Sequence, residues 1–476
     1  MSKATIKGRD LLKIGYVEGR IVGIALNVLA KKPFKTQSKA HKLALLADIL
    51  ANPDTHAQHE LLGVIAQELM RAKNETIAAG LLPKLHDKPL DFTIYGAQHI
   101  EPGALDQMYV AMKLPVTVSG ALMPDAHQGY GLPIGGVLAT ENSVMPYGVG
   151  MDIGCRMCLS IFPLQSNFLK AQQDRLKNML LEHTRFGGME VFSKPFDDAV
   201  LDRPEFKEIN FLRGLKDVAF KQIGTSGGGN HFVEFGLVEI MEPDLKINLP
   251  AGQYLGLLSH SGSRGLGAKI ATHYTKLAKE LCRLPKIAEN LAWLDLQSEA
   301  GQEYWLAMEL AGDYASACHH HIHLRIAKGL GEQPLAMVEN HHNFAWKETL
   351  PDGRTVIVHR KGATPAGVGI LGIIPGSMTA PGFIVRGKGN ADSLHSASHG
   401  AGRLFSRNKA KEMITASEVR KYLKQHGVTL IGGGLDEAPM AYKNILHVMS
   451  AQSDLVEVLG TFLPKIVRMA GDGEPE

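Results

Sequence analysis

Along residues 18 to 32 the apolar positions Ile21, Ile24, Ala25, Val28 and Leu29 recur at helical spacing and share one face, and Pro33 ends the pattern. A second amphipathic stretch runs from 38 to 50, ahead of Asn52-Pro53-Asp54, and a third from about 56 to 79. Helices with one apolar face each must bury it against one another, so this region predicts a small three-helix bundle. Residues 82 to 89 place Pro83 and Pro89 among charged residues with no helical period, which marks a linker. After Leu90 the texture changes to short apolar runs split by glycine-rich turns, with helices predicted over 266–284, over 300–329 and from about 417. The chain therefore predicts a mixed α/β fold in two parts: a helical module over 1–88 and a larger α/β core over 89–476. Residues 471–476 read as a frayed acidic tail.

Composition narrows the function. With 45% hydrophobic and 21% charged residues the 476-residue chain is globular in character. Its 51 Lys+Arg against 48 Asp+Glu leave +3, too little for a nucleic-acid coat protein or a polybasic membrane binder, so any RNA contact needs a local patch. The sequence contains neither a secretory leader pattern nor an apolar run approaching the ~18 residues of a membrane span, and its four cysteines exclude a disulfide scaffold. The expectation is a cytoplasmic protein with no membrane partner. The anomalies are 51 Gly and 21 His: glycine admits close backbone approach, and histidine binds metals or moves protons.

These residues cluster. Met123-Pro124-Asp125-Ala126-His127-Gln128-Gly129-Tyr130-Gly131, Asp152-Ile153-Gly154-Cys155-Arg156-Met157-Cys158, Gly227-Gly228-Gly229-Asn230-His231-Phe232-Val233-Glu234 and His260-Ser261-Gly262-Ser263-Arg264-Gly265 each combine glycine with imidazole, carboxylate or thiol, and Asn340-His341-His342-Asn343 adds two imidazoles between amides. Asp152, Cys155 and one histidine from each later segment would supply a divalent first-row metal; ligand type alone favours zinc. Cys155 and Cys158 form a CxxC, but a zinc knuckle needs a second one, which is absent. His319, His320, His321 and His323 fall within a helical stretch and point in different directions, so they read as a surface or interface face.

A second constellation lies downstream: Pro375-Gly376-Ser377-Met378, His395-Ser396-Ala397-Ser398-His399-Gly400-Ala401-Gly402-Arg403, and the stretch from Gly432 to Lys443. Around His399 the small residues leave room for a phosphate, and Arg403 would neutralise it, which suits a histidine nucleophile. Neither a Walker nor a Rossmann glycine motif is present, so nucleotide binding would use a less common site.

In this order and spacing the motifs closely resemble the RNA-splicing ligase RtcB family, over roughly residues 90 to 470. The resemblance implies an RtcB-type core and a ligase that joins an RNA 3′-phosphate or 2′,3′-cyclic phosphate end to a 5′-hydroxyl end, in RNA repair or tRNA splicing. It implies GTP as co-substrate, one or two Mn2+ ions, and in some members an archease-like activating partner. It makes Asp152, Cys155, His231, His260 and His342 the metal ligands and His399 the residue that is guanylylated. It places Asn230, Glu234, Asn343, Ser377, Ala401, Arg403 and Tyr442 around the guanylate, with Glu234 on the guanine edge. Arg264, Arg386, Lys388, Arg407 and Lys409 lie near these motifs and would form the basic patch.

The sequence departs from the family pattern at two places. Ala470 stands where the family has a terminal lysine, and Gly382 stands where a serine is common, so the resemblance is to a divergent branch. The amino-terminal residues lie outside the common core. There Lys7-Gly8-Arg9-Asp10-Leu11-Leu12 and Val22-Gly23-Ile24-Ala25-Leu26 look like a short helical segment of bacterial tRNA nucleotidyltransferases, which implies either a capping bundle or an RNA-docking module. Two other functions fit parts of the pattern. A metal-dependent 2′,3′-cyclic phosphodiesterase would need the metal ligands but not His399, and a non-catalytic RNA-end binder would need neither.

Overall fold

The computed structural model describes residues 6–17, 20–80, 83–188, 190–241 and 243–471. The chain forms two compact units that meet between Pro83 and Lys84, inside the proline-containing linker segment. No helix among the described residues is long and apolar enough to cross a membrane.

The amino-terminal unit contains the helices Gly8–Lys13, Arg20–Leu29, Lys39–Ala51, Pro53–His56 and Gly63–Gly80. Ile21, Ala25 and Leu29 pack with Leu11, Leu46, Ile49 and Ile65. Ser38 caps its helix by accepting from the His41 N–H at 3.2 Å. The stretch predicted as one helix from 56 to 79 is interrupted over 57–62. There His59 Nδ1 takes the Leu61 and Leu62 amides, both at 3.2 Å, in place of helical carbonyls.

The second unit is built on two larger sheets. One has the order Leu371–Ile374, Gly382–Gly387, Val456–Met469, Phe232–Ile240, Gly252–Ser261, Arg156–Phe162 and Ala336–His341, all neighbours antiparallel, with Thr429–Ile431 adding a parallel edge to Val456–Met469. The other orders Thr93–Ile94, Thr117–His127, Ile134–Thr140, Thr355–Lys361 and Phe344–Thr349.

Strand alternation sorts the first sheet's side chains onto two faces. Met157, Leu159 and Ile161 join Val238, Leu258, Ile384 and Phe462 on one face. Phe162, Val233, Phe235, Leu255 and Leu257 join Leu176, Leu180, Ile322 and Ile326 of helices Gln173–His183 and Glu299–Leu330 on the other. The 32-residue helix Glu299–Leu330 starts at Ser298, which accepts from the Gly301 N–H, and stops at Gly331 in the left-handed region.

That helix changes the reading of the histidine run. His319 and His323 are fully buried against the sheet rather than on a surface. Ser259 Oγ lies 2.6 Å from His319 Nδ1 and 2.8 Å from His323 Nε2, while Ser160 Oγ lies 2.7 Å from His323 Nδ1. One turn apart, the two rings face the same way, and hydrogen bonds make their burial tolerable. Only His320 and His321 turn away, towards Glu339 and Asp198.

Candidate active site

The sheet face opposite Glu299–Leu330 ends in a cleft of about 730 Å³. Every one of the proposed ligands, the proposed nucleophile and the proposed guanylate contacts lines it, although they come from segments as far apart as Asp152 and Tyr442. Its floor follows from register: Phe232 pairs with His260, and Glu234 pairs with both Leu258 and Val467.

At one end Cys155 Sγ lies 3.1 Å from His260 Nε2 and 3.3 Å from His231 Nε2. His260 Nε2 lies 3.2 Å from His342 Nε2, and His231 Nε2 lies 2.9 Å from Asp152 Oδ2. The His260 Nδ1–H donates to the Asn230 carbonyl at 3.2 Å, so a neutral ring carries its lone pair on Nε2, towards Cys155 and His342. Donor atoms of Cys155, His231 and His260 that converge in one cluster fit a metal ion, and the buried Asp152 carboxylate lies beside them. Gly262 makes this possible, since a Cβ there would lie 2.0 Å from Asp152 Oδ1.

Electrostatics support the same assignment. Burial would raise the Asp152 carboxyl, but the hydrogen bond to His231 outweighs it and holds it down at about 2. Burial pushes His260 down to about 3 and lowers His342, so these rings are neutral donors at physiological pH. Burial, reinforced by Asp152, raises the Cys155 thiol well above its ordinary value, so the thiol stays protonated unless a bound cation displaces the proton to solvent.

Next to this cluster, with ring centroids 4.9 Å apart, sits His399 beside His342. His399 Nδ1 is 2.7 Å from Asp125 Oδ2, and the same oxygen accepts the backbone N–H groups of His399 at 3.2 Å and Gly400 at 3.3 Å. Asp125 is fully buried; burial opposes its charge, yet the His399 ring outweighs this and keeps the carboxyl below its usual value. The approach needs Gly402, whose φ is +73 and where a Cβ would meet the Asp125 carbonyl oxygen at 2.1 Å. With Nδ1 committed to the carboxylate, the lone pair of a neutral His399 ring lies on Nε2.

The third part departs from expectation. Arg403 does not offer a free charge: its Nη1 lies 3.2 Å from both carboxylate oxygens of Glu437, and its Nη2 donates to the Asp436 carbonyl. The Tyr442 hydroxyl donates to the same carboxylate. Glu437 is raised by burial, against the pull of Arg403. Glu234 is also raised well above its usual value by burial alone. Asn343 Oδ1 accepts from the Gly362 N–H at 2.8 Å, Ser377 Oγ lies 3.4 Å from Thr379 Oγ1, and Ala401 is buried.

The expected basic patch is not assembled as read. Arg264 is buried, donating to the Gly187 carbonyl and to Thr225 Oγ1. Arg386 is paired with Asp244 at 2.6 Å and Glu457 at 2.7 Å. Lys388 donates to the Ser453 carbonyl, Lys409 lies over the Phe405 ring, and Arg407 lies 3.7 Å from both Asp436 and Glu437. Arg264 and Lys388 thus satisfy backbone carbonyls and Arg386 satisfies carboxylates, while Arg407 also lines the cleft.

Sequence reasoning passed over Asp125 and Lys361, and gave Glu437 no role. Asp125 stood in a quoted motif, but only the fold brings residues 125 and 399 together. Burial lowers Lys361 to about 7; its Nζ donates to the carbonyls of Tyr130 at 2.5 Å and Tyr147 at 3.2 Å.

At the carboxyl end the two departures have structural consequences. Val467 and Met469 line the cleft, whereas Ala470 packs in the cluster of Leu180, Phe186 and Ile466 on the opposite face. Arg468 turns to the Leu180 carbonyl at 2.6 Å and so cannot replace the absent lysine. Gly382 lines the cleft, where a Cβ would lie 3.3 Å from Pro375 Cα.

Groups that could hold a metal ion thus lie beside a histidine oriented by a buried carboxylate. Comparison with known proteins gives the family. The tRNA-splicing ligase RtcB family matches residues 107–209 and 207–470. RNA-splicing ligase RtcB1 of Escherichia coli (strain ATCC 25922) is 34% identical over 409 residues, covering 78% of this chain and 95% of its own length. RNA-splicing ligase RtcB of Escherichia coli K12 is also 34% identical, over 403 residues, with the same coverage. The tRNA-splicing ligase RtcB of Thermococcus kodakarensis is 30% identical over 409 residues, covering 71% of this chain and 85% of its own. The chain belongs to the RtcB family of RNA ligases.

Proposed function

We propose that this protein is a GTP- and Mn2+-dependent RNA ligase that joins 3′-phosphate or 2′,3′-cyclic phosphate ends to 5′-hydroxyl ends through a guanylylated His399. The observation that carries the reading is the Asp125–His399 pair: a buried carboxylate binds Nδ1 and leaves Nε2 as the nucleophilic nitrogen. His399 Nε2 would attack the GTP α-phosphorus as pyrophosphate leaves, forming the N–P bond, with Asp125 stabilising the cationic ring that results. A cyclic end is first opened by water to the 3′-phosphate; a 3′-phosphate oxygen then takes the guanylate and frees His399, and the 5′-hydroxyl oxygen attacks the RNA phosphorus, losing its proton as GMP leaves.

Asp152, Cys155, His231, His260 and His342 would hold manganese, which when bound offsets phosphoryl charge next to His399. Glu234, Asn230, Asn343, Ser377, Ala401 and Tyr442 would surround the guanylate; Arg403 would act mainly by fixing Glu437 and Tyr442. An archease-like activator belongs to the same proposal, as does an RNA-docking or capping role for residues 1–83. The test is joining of a 3′-phosphate RNA to a 5′-hydroxyl RNA with GTP and Mn2+. Wild type should ligate and His399→Ala should not. Opening of the cyclic phosphate by wild type without any joined product would favour the phosphodiesterase instead.

A further inference from the structure

The loop 127–131 at the cleft edge is firmly held. The Gln128 N–H donates to Glu101 Oε1 at 2.6 Å, and the Gln107 side chain takes both backbone groups of Gly129, at 2.6 and 3.0 Å. Lys361 binds the Tyr130 carbonyl and also the Tyr147 carbonyl, which ties two separate turns together. A Cβ on Gly362, the next residue, would lie 3.3 Å from His399 Cε1, so this tie sits directly against the proposed nucleophile.

Yet the side chain this loop presents is apolar and outward. Tyr130 is 70% exposed, while its loop is anchored at Gln128, at Gly129 and at the Tyr130 carbonyl. Its ring stacks on Tyr147 with centroids 6.3 Å apart and planes 27° from parallel, and the Lys361 ammonium lies 4.9 Å from the Tyr147 centroid. Both tyrosines line the cleft that holds His399. An aromatic ring held exposed at an anchored cleft edge offers a flat π-face to a planar ligand.

We infer that Tyr130, backed by Tyr147, is a stacking platform for an unpaired nucleobase at the end of the RNA entering the cleft. The inference rests on the ligase reading and adds how the end is gripped. Stacking needs no base-specific hydrogen bonds, so the platform tolerates any terminal base. Lys361, donating to both the Tyr130 and the Tyr147 carbonyls, ties the pair together.

The test uses the full-length protein and two short single-stranded RNAs. One carries 2-aminopurine beside a 3′-phosphate and the other beside a 5′-hydroxyl, and each has an abasic counterpart. Wild type should quench the fluorescence of one of the two probes on binding. Tyr130→Ala should abolish the quenching and weaken affinity on the order of ten-fold for the base-containing RNA, with no added loss on its abasic counterpart. Tyr130→Phe should keep the quenching, which separates loss of the ring from loss of the fold. If neither probe is quenched, or if Tyr130→Ala quenches as wild type does, the tyrosine is ordinary surface and the inference fails. Failure of the ligase reading shows separately, as wild-type protein that takes no label from α-labelled GTP.

Discussion

Replacing Asp125 by asparagine isolates the feature on which the proposed nucleophile depends. Asp125 Oδ2 accepts three N–H groups, from His399 Nδ1 and the His399 and Gly400 amides, and Oδ1 is buried with no partner. An asparagine must place its carbonyl oxygen at the Oδ2 position, since an amide NH2 there would face three donors. The substitution therefore keeps the ring tautomer and removes the negative charge that favours a cationic His399 during attack. Loss of a charge-assisted hydrogen bond costs about 1.5 to 3 kcal/mol, which is roughly 10- to 150-fold in rate. The assay is single-turnover labelling with α-labelled GTP at saturating GTP and Mn2+, alongside a thermal melt. A labelling rate equal to wild type in a folded Asp125→Asn protein would refute the role given to the carboxylate.

The remaining predictions concern the metal, the carboxyl end and the amino-terminal unit. Because burial raises the Cys155 thiol, binding it as thiolate releases one proton, so apparent Mn2+ affinity should rise about ten-fold per pH unit between roughly pH 6 and 8. Isothermal titration in buffers of different ionisation enthalpy reads that proton, and an affinity flat in pH would contradict the assignment; Cys155→Ala should abolish end joining with the fold retained. Ala470→Lys would be the natural way to restore the family lysine, but Ala470 packs among Leu180, Phe186 and Ile466, so the buried ammonium should lower Tm by several degrees without lowering the GTP needed for half-maximal labelling. A lower GTP requirement would show instead that the lysine reaches the cleft. A chain starting at Lys84 should still label with GTP, because none of the proposed site residues precedes Asp125; loss of labelling would tie residues 1–83 to the chemistry.

Much of this site was legible in the sequence because most candidates sit in glycine-rich segments whose composition is hard to explain by packing. His231 and His260 were separable from the other histidines by such neighbours, and His342 by its place between asparagines in Asn340-His341-His342-Asn343. His319 and His323 were misread because a run of four histidines in a helix gives no hint of which side meets the sheet. The 3.6-residue period places both on the buried side, where Ser259 and Ser160 meet them. The basic patch was read less well for a related reason: sequence proximity to a motif says nothing about which way an arginine faces, so Arg264 turns inward to a carbonyl and Arg386 pairs with Asp244 and Glu457, while Arg407 lines the cleft. Asp125 is the reverse case. It carries no pattern of its own, and only a strand ending at His127 beside the turn after Ser398 reveals its partner.

Everything proposed for the chemistry converges on one covalent bond. Wild-type protein incubated with α-labelled GTP and Mn2+, then denatured and digested, should yield a single labelled peptide containing His399, labile in acid and stable in alkali as a phosphoramidate is, and His399→Ala should yield none. Label on another residue, or no label with both GTP and Mn2+ saturating, would contradict the account.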